Sequence, residues 1–433
     1  MIQTKTYDIK SCDDVELGIE RKSLLNFFLT YDDSKSIEAI VCIIPGLGAD
    51  ANYSYKEHLA QSIALNLNVA VLSVNYHCIA NRPQIGAKTI LDDIDKLIFR
   101  TSCEAIGFKL EKDFEIKSED TQYVDNIVNS LNLFIALGKV NGKFSGDFKL
   151  NLHFTFQPPN GDYQNFGLMS AIDVINAILH VKANPPFNYN DDRWGGVPCI
   201  LVGSSHGGYI ANLCAKISPW IIDGVVDNSS WNISSDILKN KDYSQSSFRT
   251  MGFGKEIDYT RYPGANEIKE NLIFCYSDKT KWTSNSASPY FCSKSRLDIR
   301  DVNYPKHLYI QSRSNKPIYI GYHSINDHVA NYYDKSKFYE NLKLFKFDSN
   351  LTLIKDQNQV DGKFIKNLNH GMDMSIKTLI LKEVPTILDK LKTLKKPKKA
   401  KKISYETDEW IYHFKQNKDK LELTCQKLEP KFE

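Results

Sequence analysis

The sequence predicts an α/β architecture: a mostly parallel central sheet with helices on both faces and an inserted lid. Three observations point there. Short apolar runs rich in β-branched residues recur, such as Ile40-Val41-Cys42-Ile43-Ile44 and Val69-Ala70-Val71-Leu72. Stretches with apolar residues at helical spacing alternate with them. The runs are continuously apolar, as expected of parallel strands buried on both faces.

Residues up to about 30 are expected to add antiparallel edge strands. The first core strand, 39–44, ends in Pro45-Gly46-Leu47-Gly48. A helix is expected over 53–65 and a second buried strand over 69–76. Ile90, Leu91, Ile94, Leu97 and Ile98 fall on one face of a helix expected over 87–100. A further helix over 171–180 leads through a Pro/Gly-rich loop into Pro198-Cys199-Ile200-Leu201-Val202-Gly203. Later strands are expected over 221–227, 317–321 and 351–354.

Two segments interrupt this rhythm. Residues 103–156 form a polar insertion with one helical pattern (124–137) and an alternating run, Phe148, Leu150, Leu152, Phe154 and Phe156. Residues 229–301 are rich in Ser, Asn, Lys and aromatics. A long aperiodic segment inside a compact domain is a functional lid more often than a passive loop, and it is expected to cap the C-terminal edge of the sheet. Both insertions are assigned to one domain spanning 1–390. Residues 391–433 are expected as a basic linker and a tail, the Lys-rich run 390–402 being read as solvated.

Lys+Arg 55 against Asp+Glu 52 leaves a net charge of +3, so nothing in the overall charge calls for a nucleic-acid partner. With 42% hydrophobic and 25% charged residues, the chain is globular rather than disordered. No apolar run approaches the roughly 20 residues of a membrane span, and no apolar stretch follows the N-terminus as a signal peptide would require. The nine cysteines are odd in number and lack any Cys-x-x-Cys pair. The expectation is free thiols in a reducing cytoplasm, without structural zinc. Neither a metal nor an organic cofactor is expected.

The sharpest motif is Gly203-Ser204-Ser205-His206-Gly207-Gly208, which fits Gly-x-Ser-x-Gly around Ser205. It lies between a predicted strand and the helical stretch 209–215, the context of a nucleophile elbow. Ser204 sits at the wrong offset from the glycines and is read as a supporting residue. A serine needs a histidine base, which in turn needs an orienting carboxylate. Beyond the elbow lie His307, His323, His328, His370 and His413. Only His370 occupies a His-Gly turn late in the pattern, within Asn367-Leu368-Asn369-His370-Gly371-Met372. Asp327 follows the strand expected over 317–321, where it would also serve as the N-cap of a helix over 329–344. Asp227 is the rival acid. His323 and His328 flank Asp327, but no third ligand at zinc-site spacing accompanies them.

These motifs resemble the α/β-hydrolase superfamily, particularly its prolyl-oligopeptidase and esterase-like branches, over about residues 37–388. That resemblance implies the chain order Ser205, Asp327, His370, which favours Asp327 over Asp227. It also implies an oxyanion hole formed by the backbone N–H groups of Leu47 and His206. The loop departs from the common His-Gly start by carrying Pro45 first. More narrowly, the chain looks like a family of hydrolase-like proteins encoded near flagellin-glycosylation and motility genes of epsilon-class bacteria. Ile43-Ile44-Pro45-Gly46-Leu47-Gly48, Pro158-Pro159-Asn160-Gly161-Asp162-Tyr163-Gln164-Asn165-Phe166-Gly167 and Asn369-His370-Gly371-Met372-Asp373-Met374-Ser375 carry that impression.

The leading expectation is a serine hydrolase acting on a small acyl or acyl-sugar substrate through an acyl-serine. A second reading passes the acyl group to or from a nonulosonate-type sugar, as acyltransferase or deacylase. A third is a non-catalytic binding module that keeps the fold. The oligomeric state is left open.

Overall fold

The computed structural model describes residues 1–49, 54–110, 121–189, 196–232, 264–283, 285–394 and 400–429. In chain order the strands begin with β1 (Ile2–Lys10), β2 (Leu24–Asp32), β3 (Ala39–Ile44), β4 (Val69–Asn75) and β5 (Lys88–Ile90). They continue with β6 (Leu150–Gln157), β7 (Cys199–Ser204), β8 (Gly224–Asn228), β9 (Gly264–Lys269) and β10 (Leu272–Asp278). The last are β11 (Ile318–Ser324), β12 (Ser349–Ile354), β13 (Lys402–Glu406), β14 (Trp410–Asn417) and β15 (Lys420–Lys427). The helices are α1 (Ser54–Asn66), α2 (Asp93–Ile106), α3 (Thr121–Val140), α4 (Leu168–Ala183) and α5 (His206–Ile217). They are followed by α6 (Lys294–Arg300), α7 (Pro305–Ser312), α8 (Tyr332–Leu344) and α9 (Ile376–Thr393).

The chain divides into two compact units. The first holds residues 1–79, 165–247 and 292–433; the second holds 80–164 and 248–291.

An eight-stranded sheet ordered β1-β2-β4-β3-β7-β8-β11-β12 forms the centre of the first unit. Only the β1–β2 and β2–β4 pairs are antiparallel; every pair from β4 to β12 is parallel. With helices on both faces and this strand order, the unit has the α/β-hydrolase fold. The parallel strands are buried nearly throughout, which explains their unbroken apolar sequence. Val41, Val71, Val202 and Ile320 pack with Ile63 of α1 and Leu379 and Ile387 of α9 on one side. On the other side lies α5, buried along its whole length, with α4 packed against it. Strand connectivity reverses direction at β3, between β4 and β7, and the crevice at such a reversal is where open α/β sheets bind ligands.

Residues 402–427, expected as a tail, form a three-stranded antiparallel sheet of the first unit. Alternation explains it. Ile403 and Tyr405, Tyr412 and Phe414, and Leu421 and Leu423 are buried, and the residue between each pair, Ser404, His413 and Glu422, is polar. Tyr405 donates to the Lys216 carbonyl at 2.6 Å, and Tyr412 donates to Glu16 at 2.7 Å. Of the basic run, 395–399 lies outside the described residues.

The second unit gives the segment expected as an irregular insertion its own core. A sheet ordered β5-β6-β10-β9 carries Leu152, Phe154 and Leu272 against Phe99, Leu131 and Ile135 of α2 and α3. The helix expected over 87–100 starts later, at Asp93, because Asp92 caps it: its carboxylate accepts from the Ile94 and Asp95 N–H groups at 3.1 and 3.0 Å. Residues 88–90 pair with β6 instead. Of the segment expected as an aperiodic lid, 233–263 and 284 lie outside the described residues; the described remainder contains β9, β10 and α6. Among the described residues no helix is long and apolar enough to cross a membrane.

A buried ion pair ties the N-terminal segment of the first unit to α6. Arg300 is 1% exposed and grips both Glu16 oxygens at 3.1 and 2.5 Å. Arg300→Ala leaves Glu16 buried without its main counter-charge and is expected to cost about 3–5 kcal/mol of stability. A lowered midpoint in urea denaturation, read by far-UV circular dichroism, checks this.

Candidate active site

Ser205 stands between β7 and α5 with φ 56° and ψ −124°, a left-handed conformation that a non-glycine residue rarely adopts. Such a backbone costs about 1–3 kcal/mol and persists only where its surroundings over-determine it. Here the packing does so. A Cβ on Gly203 would lie 2.3 Å from the Gly207 carbonyl carbon, and one on Gly207 would lie 2.1 Å from the Ile44 carbonyl oxygen. Strand, turn and helix approach too closely for any side chain. The Ser205 N–H donates to the Asn228 carbonyl at 2.8 Å, and its own carbonyl accepts from the Tyr209 N–H at 3.1 Å.

His370 lies 165 residues further along the chain, yet its Nε2 is 2.8 Å from Ser205 Oγ. Its Nδ1 is 2.9 and 2.8 Å from the two oxygens of Asp327. An ionised carboxylate only accepts, so Nδ1 carries the ring proton and Nε2 faces the serine as an acceptor. The structure therefore joins three of the residues named from the sequence into one hydrogen-bonded chain.

Asp327 does not cap a helix; α8 begins at Tyr332 and is capped by Asn331. Instead Asp327 Oδ1 accepts from the Val329 and Ala330 N–H groups, both at 2.9 Å. Burial alone would raise its pKa. Hydrogen bonds from His370 and the Ala330 N–H outweigh burial and hold the carboxyl below its ordinary value. Asp227, the rival acid, faces away from this chain and pairs with Lys335 and Asn212.

Leu47 sits in the loop after β3, which packs against the elbow: a Cβ on Gly46 would be 3.2 Å from the Ser204 carbonyl and 3.8 Å from Ser205 Cβ. His206 opens α5 directly after the nucleophile position. His323 is buried and lies within the site, its Nε2 3.0 Å from the Ala330 carbonyl and 3.5 Å from Asp327 Oδ2. His328 is exposed. His307 and His413 are engaged elsewhere, with the Glu406 carbonyl and Ser404 respectively. Among the described residues no group of three His, Cys, Asp or Glu is placed to hold a metal ion.

Several residues that support the site were not singled out from the sequence. Asn228 Nδ2 donates to the Gly371 carbonyl at 3.0 Å, and the Gly371 N–H donates to Ser229 Oγ at 3.1 Å. Tyr76 donates to the Pro45 carbonyl at 2.8 Å and fixes the loop that carries Leu47. The available signal was positional: all three lie at or just past the C-terminal ends of sheet strands, the edge where such folds place their chemistry.

The chain belongs to the family described as "Protein of unknown function (DUF2920)", whose profile matches residues 5–425. No curated protein matches it. Among solved structures, the esterase Est22 is 11% identical with a TM-score of 0.44, covering 91% of this chain and 81% of that one. An acylaminoacyl peptidase of Pyrococcus horikoshii is 12% identical with a TM-score of 0.44, covering 92% of this chain. Only 43% of that peptidase is covered, so the chain spans less than half its length. A brefeldin A esterase, described as a bacterial homologue of human hormone sensitive lipase, is 10% identical with a TM-score of 0.41. It is matched over 90% of this chain and 74% of its own.

Burial pushes the His323 pKa from the usual 6.5 down to about 4, with the Lys335 charge adding to the effect. Between those two values the unfolded chain binds a proton that the folded chain refuses, so stability falls as pH drops through this window. The full contribution is about 3 kcal/mol. His307, pushed down to about 2 by burial, acts in the same direction. Stability should therefore decline with acidification in both wild type and His323→Gln, but less steeply in the variant. Urea denaturation at a series of pH values measures the difference.

Proposed function

We propose that this protein is a serine hydrolase that cleaves an ester or related acyl bond through an acyl-serine intermediate. The observation that carries the reading is the unbroken line Ser205 Oγ, His370, Asp327, with 2.8 Å at the serine step, on a strained turn at the sheet's C-terminal edge. Hydrogen-bond reach between nucleophile and base is the geometric requirement for activating a serine.

In this reading His370 Nε2 takes the hydroxyl proton as Ser205 Oγ attacks the substrate carbonyl. The carbonyl π electrons move to oxygen, and the Leu47 and His206 N–H groups receive the resulting oxyanion. Asp327 keeps Nδ1 protonated and stabilises the imidazolium. The proton then passes to the leaving group as its bond to carbon breaks. Water, deprotonated by His370, attacks the acyl carbon; the bond from that carbon to Ser205 Oγ breaks, the acid leaves, and His370 returns the proton to Oγ. The same intermediate would serve a transferase if a sugar hydroxyl or amine replaced water. The proposed setting is the cytoplasm, in line with the free thiol of every cysteine.

A fluorophosphonate probe tests the nucleophile. Wild type is expected to label and Ser205→Ala to lose the label while keeping its circular dichroism spectrum; a Ser205→Ala protein that still labels overturns the reading. Asp327→Asn is expected to slow labelling by roughly 10³–10⁴-fold through loss of the correct histidine tautomer. With an activated acyl ester, product analysis with and without an added sugar acceptor separates the two acyl fates: free acid in both cases marks a hydrolase, acyl-sugar a transferase.

A further inference from the structure

Helix α8 presents Lys335, Phe338, Tyr339 and Leu342 to the interior. Lys335 thus occupies a position in an otherwise core-facing stripe and is only 3% exposed. Its ammonium group pairs with Asp227, which is fully buried, and reaches Ser230 Oγ at 2.6 Å. A buried ion pair contributes little net stability compared with well-packed apolar residues, so its presence calls for another account.

That account lies in what the pair holds. Asp227 Oδ2 also accepts from Asn212 Nδ2 at 2.7 Å, from the helix that begins at the elbow. Asp227 Oδ1 accepts from the Ser230 N–H at 3.3 Å. Lys335 and Asp227 therefore grip both ends of the four-residue tip of β8. The two residues between them are the ones that hold the site: Asn228 accepts from the Ser205 N–H and donates to the Gly371 carbonyl, while Ser229 accepts from the Gly371 N–H. One rigid tip thus spaces Ser205 from the His370 loop.

We propose that the Lys335–Asp227 pair is a positioning element of the active site, clamping the β8 tip that sets the distance between Ser205 and His370 and balancing the charge that faces Asp327. This rests on the Ser205–His370–Asp327 reading above. The titratable and charged groups around Asp327 are His370 on its own loop, His323 on β11, and Lys335 on α8, with Asp227 on β8 behind the lysine. Removing either member of the pair leaves an unbalanced charge of known sign near the base.

The test measures the second-order rate of fluorophosphonate labelling across pH in variants that retain the wild-type circular dichroism spectrum. Lys335→Met and Asp227→Asn are each expected to slow labelling at least tenfold. Lys335→Met leaves a lone carboxylate, which favours the protonated base, so its half-maximal labelling moves to higher pH. Asp227→Asn leaves a lone ammonium and moves it to lower pH. A structural lesion without the electrostatic role has no reason to produce opposite shifts. The double variant Asp227→Asn/Lys335→Met should label slowly, yet with its half-maximum back at the wild-type pH. Shifts of both single variants in the same direction, or wild-type rates in folded variants, overturn the inference. If Lys335→Met does not fold, the double variant, which buries no lone charge, decides: a wild-type labelling rate there overturns the clamp. Failure of wild type to label defeats the Ser205 reading itself. Labelling that depends on Ser205 but ignores the pair defeats only this inference.

Discussion

A strained backbone at one residue organises the centre of this molecule. Ser205 holds a left-handed φ where α5 meets β7 with no room for a side chain at Gly203, and meets the end of β3 with none at Gly207. The strain is offset by the burial on either side of it: every residue of α5 is buried, and β7 is buried up to Gly203. Were the flanking elements free to relax, the turn would open and the hydroxyl would leave the sheet edge. The position of the Ser205 hydroxyl is thus a consequence of core packing.

The second constraint is the tip of β8. Its backbone carbonyl at Asn228 receives the Ser205 N–H, and its next side chains receive and donate to Gly371. It touches the elbow and the histidine loop at once. Ser205 follows β7, Asp327 follows β11 and His370 follows β12, all strands of one parallel run β7-β8-β11-β12. Parallel pairing puts the C-terminal ends of β7, β8 and β11 at one edge. Residues separated by more than a hundred positions in sequence converge there without any long connection having to reach across the sheet.

Charge is handled by pairing within this edge. Asp327 is held ionised by two backbone N–H groups and His370, and His323 is kept neutral by burial. Asp227, the rival acid that chain order disfavours, is committed to Lys335 and Asn212. The two carboxylates therefore have separate partners, and only one of them reaches the imidazole.

Much of this was legible locally. The core strands announced themselves because burial on both faces demands unbroken apolar residues, as in Val69-Ala70-Val71-Leu72. Gly203 to Gly208 marked a tight strand-to-helix turn, and Asn369-His370-Gly371 marked a late loop, since both signals sit within six residues. The C-terminal sheet reads as a tail because its strands are short and half polar; Tyr405 and Tyr412 become a core face only once Lys216 and Glu16 are seen beneath them. The onset of α2 was misplaced because the Asp92 cap competes with an apolar face that begins earlier.

By itself, the sequence determined the class of fold, the strand carrying the serine and the residue types available for its activation, because those depend on periodicity and nearest neighbours. Only the tertiary structure decided that Asp327, favoured by chain order, reaches His370, that Lys335 faces inward, and that Asn228, Ser229 and Tyr76 brace the site. Those choices are made by strand order and helix packing over long separations, and no local pattern of residues encodes them.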